Sequence, residues 1–139
     1  MDYKLDHIGI AVRNLDESIL FYENVLQGTL LDRYRSDLKG VESEIAIMEV
    51  SGNRIELLAP TNNTTSPIAR FIKQKGKGVH HIAYDVKDLD EALKELESKG
   101  VRTLKDTLRI NNHGRRLIYL NPVDTDGTII EYCDYPEQN

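Results

Sequence analysis

The 139-residue chain contains an internal repeat, and each copy carries a histidine and a glutamate at the same place. Leu5-Asp6-His7-Ile8-Gly9-Ile10-Ala11-Val12 runs on into Asn14-Leu15-Asp16-Glu17. Val79-His80-His81-Ile82-Ala83-Tyr84-Asp85-Val86 repeats it and runs on into Asp88-Leu89-Asp90-Glu91. Farther along, Gly52, Ile55 and Glu56 return as Gly127, Ile130 and Glu131. Self-similarity of this kind marks a duplicated supersecondary unit. A two-fold repeat places equivalent side chains about one pseudo-axis, so His7 pairs with His81 and Glu56 with Glu131. Two imidazoles and two carboxylates meeting there form a divalent-metal site.

The length suits one ordinary domain, or two small modules that share a core. No apolar run approaches the roughly 18 residues that span a bilayer. Lys4, Asp6 and His7 interrupt any signal-peptide core. Cys133 is the single cysteine, so no internal disulfide forms and a reducing cytoplasm is expected. The Asn-x-Thr triplets at Asn62 and Asn63 then read as loop polarity. A net charge of −5 argues against nucleic-acid binding, which favours basic surfaces. Two local basic clusters, Lys73-Lys75-Lys77 and Arg115-Arg116, could meet an anionic ligand but read by default as solvated surface.

Period-two and 3.6-residue apolar patterns divide the chain into elements. Leu5–Val12 predicts a strand, and Asp16 to Leu26 a helix closed by Gly28. Strands follow near 29–35, 44–50 and 54–59, with Ser51-Gly52-Asn53 as the tight turn between the last two. Ser66-Pro67 opens a short helix to about Gln74, Ser as the cap and Pro at the first helical position. The order then recurs: strand Val79–Val86, helix Leu89–Lys99 closed by Gly100, and strands near 102–108, 117–120 and 128–133. Asn111–Gly114 makes the hairpin turn. The fold class is α+β: two βαβββ modules, residues 1–65 and 76–139, joined by the helical connection 66–75 in a single domain.

In the first strand, large aliphatics must face the amphipathic helix. His7 then faces away, beside the small Gly9 and Ala11, and His81 does the same beside Ala83. His80 is one residue off the repeat and reads as a partly buried structural histidine. His113 falls in the predicted turn and reads as exposed. A site of two His and two Glu leaves two adjacent positions free on a six-coordinate ion. Co, Ni, Mn, Fe or Zn would suit it. A substrate chelating through two oxygens would form an enolate stabilised by the ion, with a nearby carboxylate as base. Glu44 is a candidate base if Ile45 and Ile47 have the core parity. Its alternative is a solvated strand-edge carboxylate, and Glu42 shares its parity.

These residues resemble the vicinal oxygen chelate (glyoxalase/bleomycin resistance/dioxygenase) superfamily, most closely its methylmalonyl-CoA epimerases. The matching segments are Asp6–Val12, Ile55-Glu56-Leu57-Leu58-Ala59-Pro60 and Ser66–Ile72, then Gly78–Ala83, His113-Gly114 and Gly127–Glu131. The resemblance implies that the modules form a curved, mostly antiparallel sheet around a metal-binding cleft, with His7, His81, Glu131 and Glu56 as metal ligands, Glu56 standing where the family has Gln or Glu. It implies Glu131 and a carboxylate on the earlier strand, nearest Glu44, as the catalytic pair. The implied activity is a metal-dependent epimerase acting on the acidic carbon of a 2-carboxyacyl-CoA thioester, or another bidentate oxygen chelator. One departure stands out: Asn121-Pro122-Val123 and three following residues with two aspartates replace a frequent His-Pro-Lys, which does not favour an anionic coenzyme A tail there.

The runner-up is a glyoxalase I-type lactoylglutathione lyase, which uses a similar ligand set. Such lyases usually carry Asn-Trp-Gly after the first-half glutamate; this chain has Leu-Leu-Ala-Pro and no tryptophan. A fosfomycin-modifying transferase needs only three protein ligands, and an extradiol dioxygenase two His and one Glu. A non-enzymatic drug-binding module generally lacks these ligands. Paired modules commonly dimerise, so a homodimer is expected.

Overall fold

Asn14 and Asp88 occupy the same place in the two repeats, and each starts a helix in the same way. In the computed structural model, which describes residues 3–36, 42–61, 66–111 and 114–136, Asn14 Oδ1 accepts the Glu17 N–H at 3.0 Å. Asp88 Oδ1 accepts the Glu91 N–H at 3.1 Å. These caps satisfy donors that the first helical turn leaves unpaired. They open helices α1 (Leu15–Asn24) and α3 (Leu89–Ser98). Ser66 Oγ caps α2 (Pro67–Lys75) through the Ala69 N–H at 3.2 Å. No helix is long and apolar enough to cross a membrane among the described residues.

Two compact bodies emerge: His7–His80, and residues up to Asp6 together with those from His81 onward. The first holds β1 (Lys4–Ala11, from His7), β2 (Thr29–Ser36), β3 (Ser43–Val50) and β4 (Asn53–Pro60), in the spatial order β2-β3-β4-β1. The second holds β5 (Gly78–Asp85, from His81), β6 (Thr103–Ile110), β7 (Arg116–Leu120) and β8 (Ile130–Asp134), in the order β5-β8-β7-β6. β1 pairs parallel with β4, and β5 with β8, while the other pairings are antiparallel. Each half is therefore βαβββ, as expected. A 3-10 turn, Pro122–Thr125, was not expected. The helical connection α2 lies within the first body.

Ser51 and Gly52 take φ of 53° and 81°, the double positive φ that a type I′ hairpin turn requires. The expected role of Gly28 is different from the observed one. Helix α1 stops at Asn24, and Gln27 takes the left-handed conformation. Gly28 is needed for closeness: a Cβ there would meet Tyr22 O at 3.0 Å, Val50 Cγ2 at 3.1 Å and Glu49 O at 3.2 Å.

The first body has a core on each face of its sheet. Under α1, Leu15 and Ile19 pack with Ala46, Met48, Leu57 and Ala59. Under α2, Ile68 and Ile72 pack with Ala11, Ile45 and Leu58. This second core reverses the assignment of Glu44. Alternation puts Glu44 with Ala46 and Met48, on the α1 face. Ile47 is the register partner of Glu56, so Ile45 and Ile47 share the face of Glu56, Gly9 and His7. Apolar residues on both faces of one strand defeat a parity argument: Ile45 and Ala46 are both core residues, one on each side of the sheet.

In the second body, Val86, Leu89, Ala92 and Ile118 pack with Tyr84 and Tyr132 under α3. His81, Ala83 and Asp85 then take the opposite face, as the sequence predicts. Asp134 pins the helix start: its Oδ2 accepts the Leu89 N–H at 2.7 Å, and Arg116 clasps both its oxygens.

Candidate functional site

Each body builds the same diagonal from the same register. In the first, Gly9 is the Cα partner of Glu56, and His7 lies two residues upstream on the same face. In the second, Ala83 is the partner of Glu131, with His81 two residues upstream. Diagonal neighbours on adjacent strands are within reach of long side chains. The residue directly beside the carboxylate must be small for the imidazole to reach it, and both are. The result is His7 Nε2 at 3.5 Å from Glu56 Oε2 and His81 Nε2 at 3.7 Å from Glu131 Oε1.

All four side chains are buried, between 2% and 7% exposed. Buried imidazoles and carboxylates are costly unless bonded, paired or coordinated to a metal. Their separations exceed the 2.7–3.2 Å usual for an N–H···O bond. Two donors held cis at about 2.1 Å from one ion would stand about 3 Å apart, so either pair fits a shared cation with a small inward adjustment.

Glu131 has a further partner that sequence reasoning missed. Arg115, 7% exposed, donates from Nη1 to Glu131 Oε2 at 2.5 Å. Arg115 and Arg116 were expected on the solvated surface. Neither is, because adjacent residues entering a strand point to opposite faces: Arg115 meets Glu131 while Arg116 meets Asp134 and Asp90. The Arg115 backbone is fixed to Asn111 in both directions, by Asn111 N–H to Arg115 O at 2.9 Å and Arg115 N–H to Asn111 Oδ1 at 3.0 Å. The Gly114 just before Arg115 marked the turn but carried no sign of this burial. Tyr119, the register partner of Glu131, stands with its ring 6.1 Å from that of His81.

The remaining candidates divide cleanly. His80 is half-buried with its ring 4.6 Å from Phe71 in an edge-to-face contact, a structural role as expected. Lys73, Lys75 and Lys77 are exposed. Asn62, Asn63 and His113 lie outside the described residues. Asp124, in the segment that departs from the family pattern, is held by Arg102 through Nε at 3.0 Å and Nη2 at 2.9 Å. These bonds lower the Asp124 carboxyl to about 2 and neutralise the acidic charge at that place. Cys133 is fully buried, and burial pushes its thiol well above the usual range. A thiol held that way is not a nucleophile.

The chain is similar to known proteins over most of its length. Residues 6–119 match the profile of the Glyoxalase/Bleomycin resistance protein/Dioxygenase superfamily. The chain is 33% identical to the mitochondrial methylmalonyl-CoA epimerase of Homo sapiens, over 92% of this chain and 72% of that one. It superposes on the crystal structure of methylmalonyl-CoA epimerase from Mycobacterium tuberculosis with a TM-score of 0.84 and 35% identity, covering 94% and 86% of the two chains. A variant of the Streptomyces coelicolor methylmalonyl-CoA epimerase in complex with 2-nitronate-propionyl-CoA gives a TM-score of 0.80 at 30% identity, covering 94% and 96%. The α+β fold of paired βαβββ modules is common to these chains and to this one.

Proposed function

Because the chain belongs to the glyoxalase/bleomycin resistance protein/dioxygenase superfamily, we propose that it is a metal-dependent epimerase of a 2-carboxyacyl-CoA thioester such as methylmalonyl-CoA. The observation that carries this reading is the duplicated, buried His–Glu diagonal. It occurs in a chain whose relatives over most of its length include named methylmalonyl-CoA epimerases. A bound 2-nitronate-propionyl-CoA in one of them supports an acyl-CoA substrate, since a nitronate is a planar anion with the shape of a deprotonated 2-carboxyacyl carbon.

His7, Glu56, His81 and Glu131 would hold one divalent ion. Their mixed N/O donor set suits Co, Ni, Mn, Fe or Zn without choosing among them. When bound, such an ion supplies positive charge that makes the carbon between thioester and carboxylate acidic. The chain's own residues do the rest. Inversion requires one carboxylate to take the proton from one face of the carbon and another acid to return it on the opposite face. Glu131 is one of the pair. Arg115 fixes its Oε2, which sets the direction in which the carboxylate presents its other oxygen. Glu44 lies on the α1 side of the sheet, opposite to the face of Glu56 and His7. Glu42 takes its place as the second carboxylate: it is half-buried just ahead of β3, where strand alternation does not dictate its direction. A cytoplasmic homodimer belongs to the same reading, because paired modules of this kind commonly dimerise.

The test incubates the metal-loaded protein with methylmalonyl-CoA in D₂O and follows deuterium at C2, with the hemithioacetal of methylglyoxal in parallel. Exchange at C2 is expected; turnover of the hemithioacetal alone would overturn the proposal in favour of a lyase. His81→Ala should lose both bound metal and exchange. Removing a general base costs about 10²- to 10⁴-fold, which is the loss expected for Glu42→Gln, whereas Glu44→Gln should stay near wild type.

A further inference from the structure

Strand β6 breaks its own register. Leu104 is the partner of Tyr119, but Arg109 is the partner of Leu117. The two positions on β6 are an odd number of residues apart, while those on β7 are two apart. Paired residues share a face, so the irregularity turns Arg109 onto the face of Leu104 and Tyr119, which regular alternation would have denied it. Thr107 makes the break possible. Its Oγ1 donates to Leu104 O at 2.5 Å and accepts the Tyr119 N–H at 2.9 Å, standing in for a ladder bond. Bulges of this kind often re-aim a side chain next to a functional site.

The face that Arg109 gains is that of Glu131 and His81. Leu117 pairs with Cys133 and Tyr119 with Glu131, and Ala83, two residues from His81, pairs with Glu131 in turn. Strands lie about 4.8 Å apart and residues rise about 3.4 Å, so the Arg109 backbone stands about 12 Å from that of Glu131. A guanidinium on its four-bond stem covers about half of that gap.

Arg109 Nε donates to Thr107 O at 2.9 Å. Its Nη1 is buried, and among the described residues it is the buried side-chain polar atom without a hydrogen-bond partner. A buried donor in that condition is costly. Glu131, on that face, already has Arg115 as its ion-pair partner, and Asp85, at the end of β5, accepts the Lys87 N–H. We infer that Arg109 is a substrate-anchoring residue that binds an oxyanion, a carboxylate or phosphate of the acyl-CoA, through its buried Nη1. This rests on the epimerase reading for the substrate's name but not for the anion site itself.

The experiment compares wild type, Arg109→Met and Arg109→Lys, all metal-loaded, by calorimetric titration. The ligands are malonate, inorganic phosphate, coenzyme A and the phosphate-free methylmalonyl-pantetheine. A charge-assisted hydrogen bond is worth about 1.5–3 kcal/mol, so Arg109→Met should weaken the relevant ligand about 10- to 100-fold, and Arg109→Lys should recover part of it. Loss confined to malonate and methylmalonyl-pantetheine assigns a carboxylate; loss confined to phosphate and coenzyme A assigns a phosphate. Thermal unfolding of Arg109→Met should be unchanged or higher, since an unpaired buried donor has gone. Unchanged affinity for all four ligands, or wild type that binds no anion at all, would overturn the inference. Deuterium exchange at C2 reports on the epimerase reading separately, so the two can fail independently.

Discussion

Arg115 offers the sharpest test of how this site is held together. Its guanidinium and the Glu131 carboxylate are 7% and 2% exposed and stand 2.5 Å apart. Replacing Arg115 by Met keeps the volume of the stem and removes the charge, leaving a buried carboxylate without its main partner. Breaking a buried pair in this way costs about 3–5 kcal/mol. For a domain of this size each kcal/mol moves the melting temperature by about 3–5 °C. The chelator-treated variant should therefore melt at least about 10 °C below wild type, the chelator ensuring that no cation substitutes for the missing charge. The double variant Arg115→Met with Glu131→Gln should recover much of the loss, because a neutral amide is far cheaper to bury than a lone carboxylate. Calorimetric scans of the four proteins complete the cycle. A single variant melting within 2–3 °C of wild type, or a double variant no more stable than Arg115→Met, would refute the claim that the ion pair supports the buried carboxylate.

Two further outcomes follow from the fold. Gly28→Ala should destabilise the protein by about 1–3 kcal/mol, read as a lowered denaturation midpoint, because two of the three atoms its methyl would meet are backbone carbonyls. Asp134 tests the low-pH limb. Burial works to raise its carboxyl, but the Arg116 bonds and the Leu89 N–H outweigh burial and hold it below the usual range. A depressed native value gives stability that is present above the unfolded carboxylate range near pH 4 and lost as pH falls through the native value. Asp134→Asn should thus be about 2 kcal/mol less stable than wild type at pH 7. The gap should shrink below about pH 4, and a constant difference from pH 7 to pH 3 would contradict this.

The repeat in the sequence already named the four buried histidine and glutamate side chains, because a duplicated register forces equivalent residues into equivalent places. Asn14, Ser66 and Asp88 announced their helices for an equally local reason: a cap needs only its own first turn. What could not be read were features that depend on what lies across the sheet. Ile45 and Ala46 look alike as core residues until α2 is seen to bury one face of β3 and α1 the other, and Glu44 was misplaced for that reason alone. Arg115 and Arg116 look alike as surface until alternation sends one to Glu131 and its neighbour to Asp134. Arg109 reaches the functional face only through a break in the β6–β7 register. Pattern along a chain reports each residue's own preference, whereas burial, pairing and facing are properties of two strands or a strand and a helix together, and only the folded arrangement sets them.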